Sequence, residues 1–198
     1  MEYFIYQSKT TELSTTAYDV MFPQLLSKVI NEPNIIHALH EQFRKHGVWV
    51  SDQEFAAAVE TKSAYRSRDL PFARMLLIEL DKTFQTFGQF PDYSTVPTIE
   101  HVLPQELTNE WRTYLGLDAE DEHLPQLIHT IGNLCLLSQP ANSSAGQNPF
   151  MAKTDGYSEV TALARQIKNH QELWNLAAIR SRSKLLAKSA VGRWAWSS

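Results

Sequence analysis

Through the first half of the chain, apolar residues recur every three to four positions, which is the spacing of one helix face. In NEPNIIHALHEQFRKHG, Ile35, Ile36, Leu39 and Phe43 fall together, and Gly47 stands where a helix ends. SDQEFAAAVE opens with Ser51 and Glu54 at the spacing of a capping box. A third helix starts at Pro71, a residue suited to a first turn, and places Phe72, Met75, Leu76, Leu80, Phe84 and Phe87 at helical intervals before Gly88. These apolar stripes predict core-facing helices.

GQFPDYSTVPT then breaks the pattern with Gly88, Pro91 and Pro97 among small polar residues. We place a domain boundary near residue 95, separating a helical region, 1–94, from a second domain, 95–198. TIEHV reads as a short strand, Glu106 to Leu115 as a helix, DAEDE as an exposed acidic loop, Leu124 to Thr130 as a helix, and NLCLL as a second strand. SQPANSSAGQNP reads as turns. Two helical stretches close the chain, around Ser158 to Lys168 and from about Gln171 to Ala190, with Leu173, Trp174, Ala177 and Ala178 on the apolar side of the latter. No repeat and no low-complexity tract interrupts this order.

With 198 residues, 43% of them hydrophobic, the chain can bury an ample core. No stretch has the length and apolarity of a spanning helix, and MEYFIYQSKTTEL lacks the order of a signal peptide, so a cytoplasmic location is expected. Cys135 is the single cysteine, which excludes an intrachain disulfide and a cysteine-built zinc site. Its apolar neighbours predict an inert buried thiol rather than a nucleophile. Any metal must therefore be held by oxygen and nitrogen. The net charge of −4 conceals an asymmetry: from residue 153 onward eight basic residues face three acidic ones, a local +5 that leaves −9 for residues 1–152. A basic tail of this kind either contacts phosphates or is a solvated face.

Phosphate-binding loops of the GxxxxGK[ST] and GxGxxG types, the GxSxG serine elbow and the HExxH zinc helix are all missing. Six of the seven histidines, His37, His40, His46, His123, His129 and His170, stand in no constellation and read as structural or surface residues. DAEDE lacks the alternating ligands and turn glycine of a calcium loop. Trp111 and Trp174 are expected in the core, while Trp194 and Trp196 are equally suited to packing or to stacking on bases.

His101 differs from the other histidines because of what surrounds it. The segment TIEHVLPQ…HTIGNLCLLSQPANSSAGQNPFMAK contains acid-His-x-x-Pro, then Asn-Leu-x-Leu-Leu, then a further Asn and a Lys. This order resembles the HNH, or His-Me finger, nucleases. More closely, EHVLPQ, IGNLCLL, NSSAGQNPFMAK and the later W…IRSRS…LLAK are similar to the C-terminal nuclease domain of GmrSD-type restriction enzymes, over about residues 95–198 and more faintly over FARMLLIELDK before them.

The resemblance implies an α+β, mostly helical protein. Its ββα-metal (His-Me finger) nuclease core would be flanked by an N-terminal helical region and C-terminal helices. It implies an endonuclease that hydrolyses DNA phosphodiesters with one divalent ion, Mg²⁺ or Mn²⁺, as cofactor. His101 would activate water, and Asn133 would orient it or brace its loop. Glu100 would be an acidic metal ligand, and Asn142 the last metal-side ligand, with Asn148 as its rival. Lys153, Arg180, Arg182 and Lys184 would contact DNA. The 31 residues between His101 and Asn133, with the Trp111 helix and the acidic loop, would be an insertion that leaves the strand pairing open. Physical chemistry agrees with these roles: phosphodiester hydrolysis needs a base and a cation, and an ordinary histidine can serve as that base near neutral pH. Glu100 and His101 can share a site only where the backbone departs from the regular strand alternation, as it can before Pro104.

In that family the nuclease accompanies an NTP-using, DNA-sensing domain, and the whole restricts foreign DNA, including phage DNA with modified bases. These 198 residues contain no such domain, so they suit a portion of a longer enzyme, a stand-alone relative or a subunit with a partner. Two other readings stay open, a non-catalytic nucleic-acid- or protein-binding module and an RNA-cleaving nuclease. No membrane partner is expected.

Overall fold

The computed structural model describes residues 2–13, 16–86, 91–93, 97–157, 161–170 and 173–194. Five helices come first: α1 (Glu2–Thr11), α2 (Thr16–Val29), α3 (Ile35–Lys45), α4 (Asp52–Thr61) and α5 (Leu70–Phe84). Ser51 and Glu54 form the expected reciprocal cap on α4, and Pro71 lies in the first turn of α5. Leu76, Leu77 and Leu80 of α5 are buried, but Met75 is exposed. In α3 only Phe43 is fully buried; Ile35 and Ile36 face outward, because α3 packs on α2 around a separate small cluster of Met21, Phe43 and Val48. Phe87, Gly88 and the proposed boundary at residue 95 lie outside the described residues.

The two expected strands form and pair. β1 (Thr98–His101) runs antiparallel to β2 (Leu134–Leu137), with Glu100 opposite Cys135 and His101 opposite Leu134. Between them the insertion carries α6 (Asn109–Leu115), capped by the Thr108 hydroxyl, and α7 (Leu124–Leu127), both shorter than the sequence pattern suggested. Cys135 is fully buried, and that burial pushes its thiol far above the ordinary range.

The segment expected as turns, residues 138–149, instead holds a short helix, α8 (Gln139–Ala145), and a second one, α9 (Phe150–Asp155), starts directly after it. Ser138 accepts a bond from the Ala141 amide, Pro140 occupies the first turn, and Gly146, at φ 45°, ends α8. The same residue types that signal turns therefore supply both caps of a seven-residue helix. α10 (Ala162–Lys168) and the long α11 (Leu176–Trp194) complete the fold; residues 158–160, 171–172 and 195–198, including Trp196, are outside the described set.

α11 lies across α4, α5 and α1 and over the 3₁₀ turn Ile131–Asn133. One apolar cluster runs from Tyr6, Val50 and Phe55 through Leu77, Leu103 and Leu136 to Trp174, Leu186 and Trp194. Residues on both sides of position 95 therefore share one core. Trp111 and Trp174 are buried as expected, and Trp194 is buried too, stacked on Tyr6 at 4.0 Å. Among the described residues no helix is long and apolar enough to cross a membrane.

Candidate active site

The end of β1 is fixed by Asn133. The Val102 amide donates to the Asn133 carbonyl at 3.0 Å, and the Leu103 amide donates to Asn133 Oδ1 at 2.8 Å. Asn133 Nδ2 returns bonds to the carbonyls of Leu103 (2.8 Å) and Ile128 (2.9 Å), while Trp174 Nε1 donates to Oδ1 at 3.2 Å. Both donor and both acceptor positions of this buried amide are filled, the requirement for a polar group in a core. The turn that follows His101 is thereby held in one conformation.

Beside this turn opens a cleft of about 430 Å³, whose walls include Tyr65, Glu100, His101, Asn142, Gly146 and Lys153. Glu100 and His101 both line it although they are consecutive. His101 is the last residue of β1, so strand alternation no longer governs its side chain. Lys153 enters from α9 and is almost completely buried, 1% exposed. Its Nζ donates to the His101 carbonyl (2.7 Å) and the Gly146 carbonyl (2.8 Å) and lies 3.0 Å from Glu100 Oε1. Tyr157 also donates to Glu100 Oε1, at 3.1 Å.

Burial dominates the charge states here. It raises the Glu100 carboxyl above its ordinary range, against the pull of Lys153 and Tyr157, and lowers Lys153, against the pull of Glu100. His101 is pushed down to about 3, chiefly by burial and then by His129 and Lys153, so its imidazole is neutral at neutral pH. His101 Nε2 is 3.3 Å from His129 Nδ1, and the Tyr65 ring meets His101 edge-on at 4.4 Å.

A family model described as GmrSD restriction endonucleases, C-terminal domain, matches residues 49–189. The chain belongs to this family. No curated protein and no solved structure gives a significant match. The GmrSD match begins ahead of α4, so the family unit includes α4 and α5 as well as the hairpin.

Of the residues singled out in this GmrSD domain, Glu100, His101, Asn142 and Lys153 meet at the cleft, with Asn133 behind it. Asn142 projects from α8 and donates through Nδ2 to Thr98 Oγ1 (2.8 Å) and the Ile99 carbonyl (3.0 Å), which leaves Oδ1 unused among the described residues. Asn148 is not in the cleft wall: its side chain bonds the Ser144 carbonyl at the surface and its own carbonyl accepts from Trp111 Nε1. Lys153 is an interior cation rather than a surface one.

Arg182 also departs from the DNA-contact expectation. It is 8% exposed and turned inward, with NH1 donating to the carbonyls of Gly132 and Leu134 at 2.8 Å each and NH2 reaching the Leu163 carbonyl. It ties α11 to the hairpin. Arg180 and Lys184 are exposed on the same helix. His129 and Tyr65 had no assigned role in the sequence, and only the fold brings them to His101.

Among the described residues, no three His, Cys, Asp or Glu side chains cluster in a way that could hold a metal. The cleft wall carries the carboxylates of Glu100 and Glu106 and the Asn142 amide oxygen left over among the described residues, with volume for several waters. That donor set fits Mg²⁺ or Mn²⁺, which accept a few protein oxygens and keep much of their hydration.

Proposed function

We propose that this GmrSD-family protein is a metal-dependent DNA endonuclease whose catalytic centre is the cleft at the end of β1. The observation that carries the reading is that Glu100, His101 and Asn142 line one cleft on a two-stranded hairpin and the helix that follows it. This arrangement resembles a ββα-metal core.

In this reading the neutral His101 takes a proton from water as the oxygen attacks phosphorus, and the bond to the leaving oxygen breaks. Glu100 and the Asn142 Oδ1 hold the Mg²⁺ or Mn²⁺, which when bound neutralises charge developing on the phosphate and leaving group. Asn142 is preferred to Asn148 because its amide is oriented by β1 with the oxygen left over. Asn133 keeps the His101 turn in register, and Lys153 anchors it from beneath through the His101 carbonyl. Exposed Arg180 and Lys184 supply phosphate contacts, which position a duplex without reading its sequence. The biological role is restriction of foreign or modified DNA, with an NTP-using sensor as partner.

Incubation of supercoiled plasmid, and of RNA in parallel, with Mg²⁺, Mn²⁺ or chelator tests this reading. Nicked or linear DNA in metal and intact DNA in chelator is expected. Cleavage of RNA alone would move the substrate to RNA, and binding without cleavage of either would make the protein a non-catalytic module.

A further inference from the structure

His129 sits at the end of the α7 turn with its backbone tied down: its carbonyl accepts from the amides of Ala64 (2.9 Å) and Tyr65 (3.2 Å). The Tyr65 ring lies nearly parallel to the His129 ring, 14° off and 5.9 Å between centroids, while the His101 and His129 rings are perpendicular at 89°. His129 is thus held on two sides, with Nδ1 presented to His101 Nε2 at 3.3 Å.

Two neutral imidazoles at this distance share a single proton, because one nitrogen must donate and the other accept. The direction of that bond decides the chemistry of His101. If His129 Nδ1 donated, His101 Nε2 would be consumed as the acceptor and Nδ1 would carry the proton, so the ring would have no free lone pair. If His101 Nε2 donates, Nδ1 keeps its lone pair. His101 Nδ1 has no hydrogen bond among the described residues, and it is not one of the unpartnered polar atoms sealed from solvent. It is the nitrogen left to meet a water.

We propose that His129 is the positioning residue of the cleft: its Nδ1 accepts the His101 Nε2 proton and fixes His101 in the tautomer whose Nδ1 lone pair is free. This inference rests on the nuclease reading, in which His101 is the base. When a water proton transfers to Nδ1, the water O–H bond breaks and an N–H bond forms. The resulting imidazolium keeps its Nε2–H···Nδ1 bond to His129, which strengthens as the donor becomes charged. His129 neither gains nor loses a proton, and Nδ1 later releases its proton to solvent.

The test combines ¹⁵N-histidine NMR of the full chain in chelator with steady-state plasmid cleavage in Mg²⁺, for wild type, His129→Leu and His129→Asn. Wild type should show His101 protonated on Nε2 and unprotonated on Nδ1. His129→Leu should show mixed His101 tautomers and lower kcat by about 10- to 100-fold, part of the 10²- to 10⁴-fold that a positioned base contributes, with KM for DNA little changed. His129→Asn, whose side-chain oxygen can accept the same bond, should restore both readouts. A wild-type His101 protonated on Nδ1, or an unchanged tautomer and kcat in His129→Leu, overturns the proposal. If His129→Leu fails to fold, the wild-type tautomer and the His129→Asn values still decide it. If wild type cleaves nothing, the nuclease reading fails, whereas the tautomer measurement continues to judge the His101–His129 bond.

Discussion

Asn133 holds Leu103 at both ends of its peptide backbone: Oδ1 accepts from the Leu103 amide and Nδ2 donates to the Leu103 carbonyl, each at 2.8 Å. The two residues are thirty positions apart, and the contact keeps the turn after His101 from drifting when the cleft takes up charge. Asn133→Ala would strand these groups, the Ile128 carbonyl and the Trp174 indole N–H in the core. Each unsatisfied buried group costs about 1–3 kcal/mol, so for these four groups a loss of at least about 4 kcal/mol is expected. Urea unfolding would show it as a lower midpoint, and a change below 1 kcal/mol would contradict the bracing role.

Gly132 and Gly192 should respond in opposite directions to alanine. A Cβ on Gly132 would lie 2.2 Å from the Ile179 carbonyl and 2.8 Å from the Ser183 amide, both backbone atoms of α11. Overpacking of this kind costs about 1–3 kcal/mol or more. A Cβ on Gly192, inside α11, meets nothing within 4 Å, and the gain in helix propensity is about 0.5–1 kcal/mol. Thermal melts of the two variants check the sign of each.

The buried pair of Lys153 and Glu100 should be far more sensitive to losing one partner than to losing both charges. Lys153→Met leaves a carboxylate in the interior with the Tyr157 hydroxyl and the His101 backbone N–H as donors but without its counter-charge, for which about 3–5 kcal/mol is typical. Adding Glu100→Gln should recover part of that loss. A double-mutant cycle in urea reads the coupling directly, and additive effects would mean that the pair does not interact.

Metal-free protein should lose stability as the medium becomes acidic. His101 titrates at about 3 in the fold, against about 6.5 in an unfolded chain, so below pH 6.5 the unfolded state takes up the proton first. Its contribution is complete above pH 6.5 and is lost as the pH falls towards 3, by up to about 1.4 kcal/mol per pH unit. His129, lowered by burial, acts in the same direction. Unfolding midpoints in chelator at pH 7.5, 6 and 5 should fall for wild type and fall less steeply for His101→Gln.

Much of the site was legible in the sequence because its parts are local. TIEHV and NLCLL carry strand patterns, and the acid-His pair and Asn133 lie within those two stretches. The helix α8 was obscured because Ser138, Pro140 and Gly146 serve equally as turn residues and as helix caps. Arg182 is different, since its burial was written in the pattern. It lies on the stripe of Ile179, Ser183, Leu186, Ala187 and Ala190, at helical spacing, a register that the local excess of basic residues masks. His129 could not be found this way. It stands 28 residues from His101, and only the antiparallel pairing of β1 with β2 brings the two rings together.

Plasmid cleavage by His101→Ala is the most direct test of the central claim. The variant should retain the wild-type fold by circular dichroism, because the neighbouring turn is held by Asn133 and the His101 bond to Lys153 uses the main-chain carbonyl. Cleavage in Mg²⁺ or Mn²⁺ should fall by about 10²- to 10⁴-fold. A folded His101→Ala protein that cuts DNA at the wild-type rate would contradict the account.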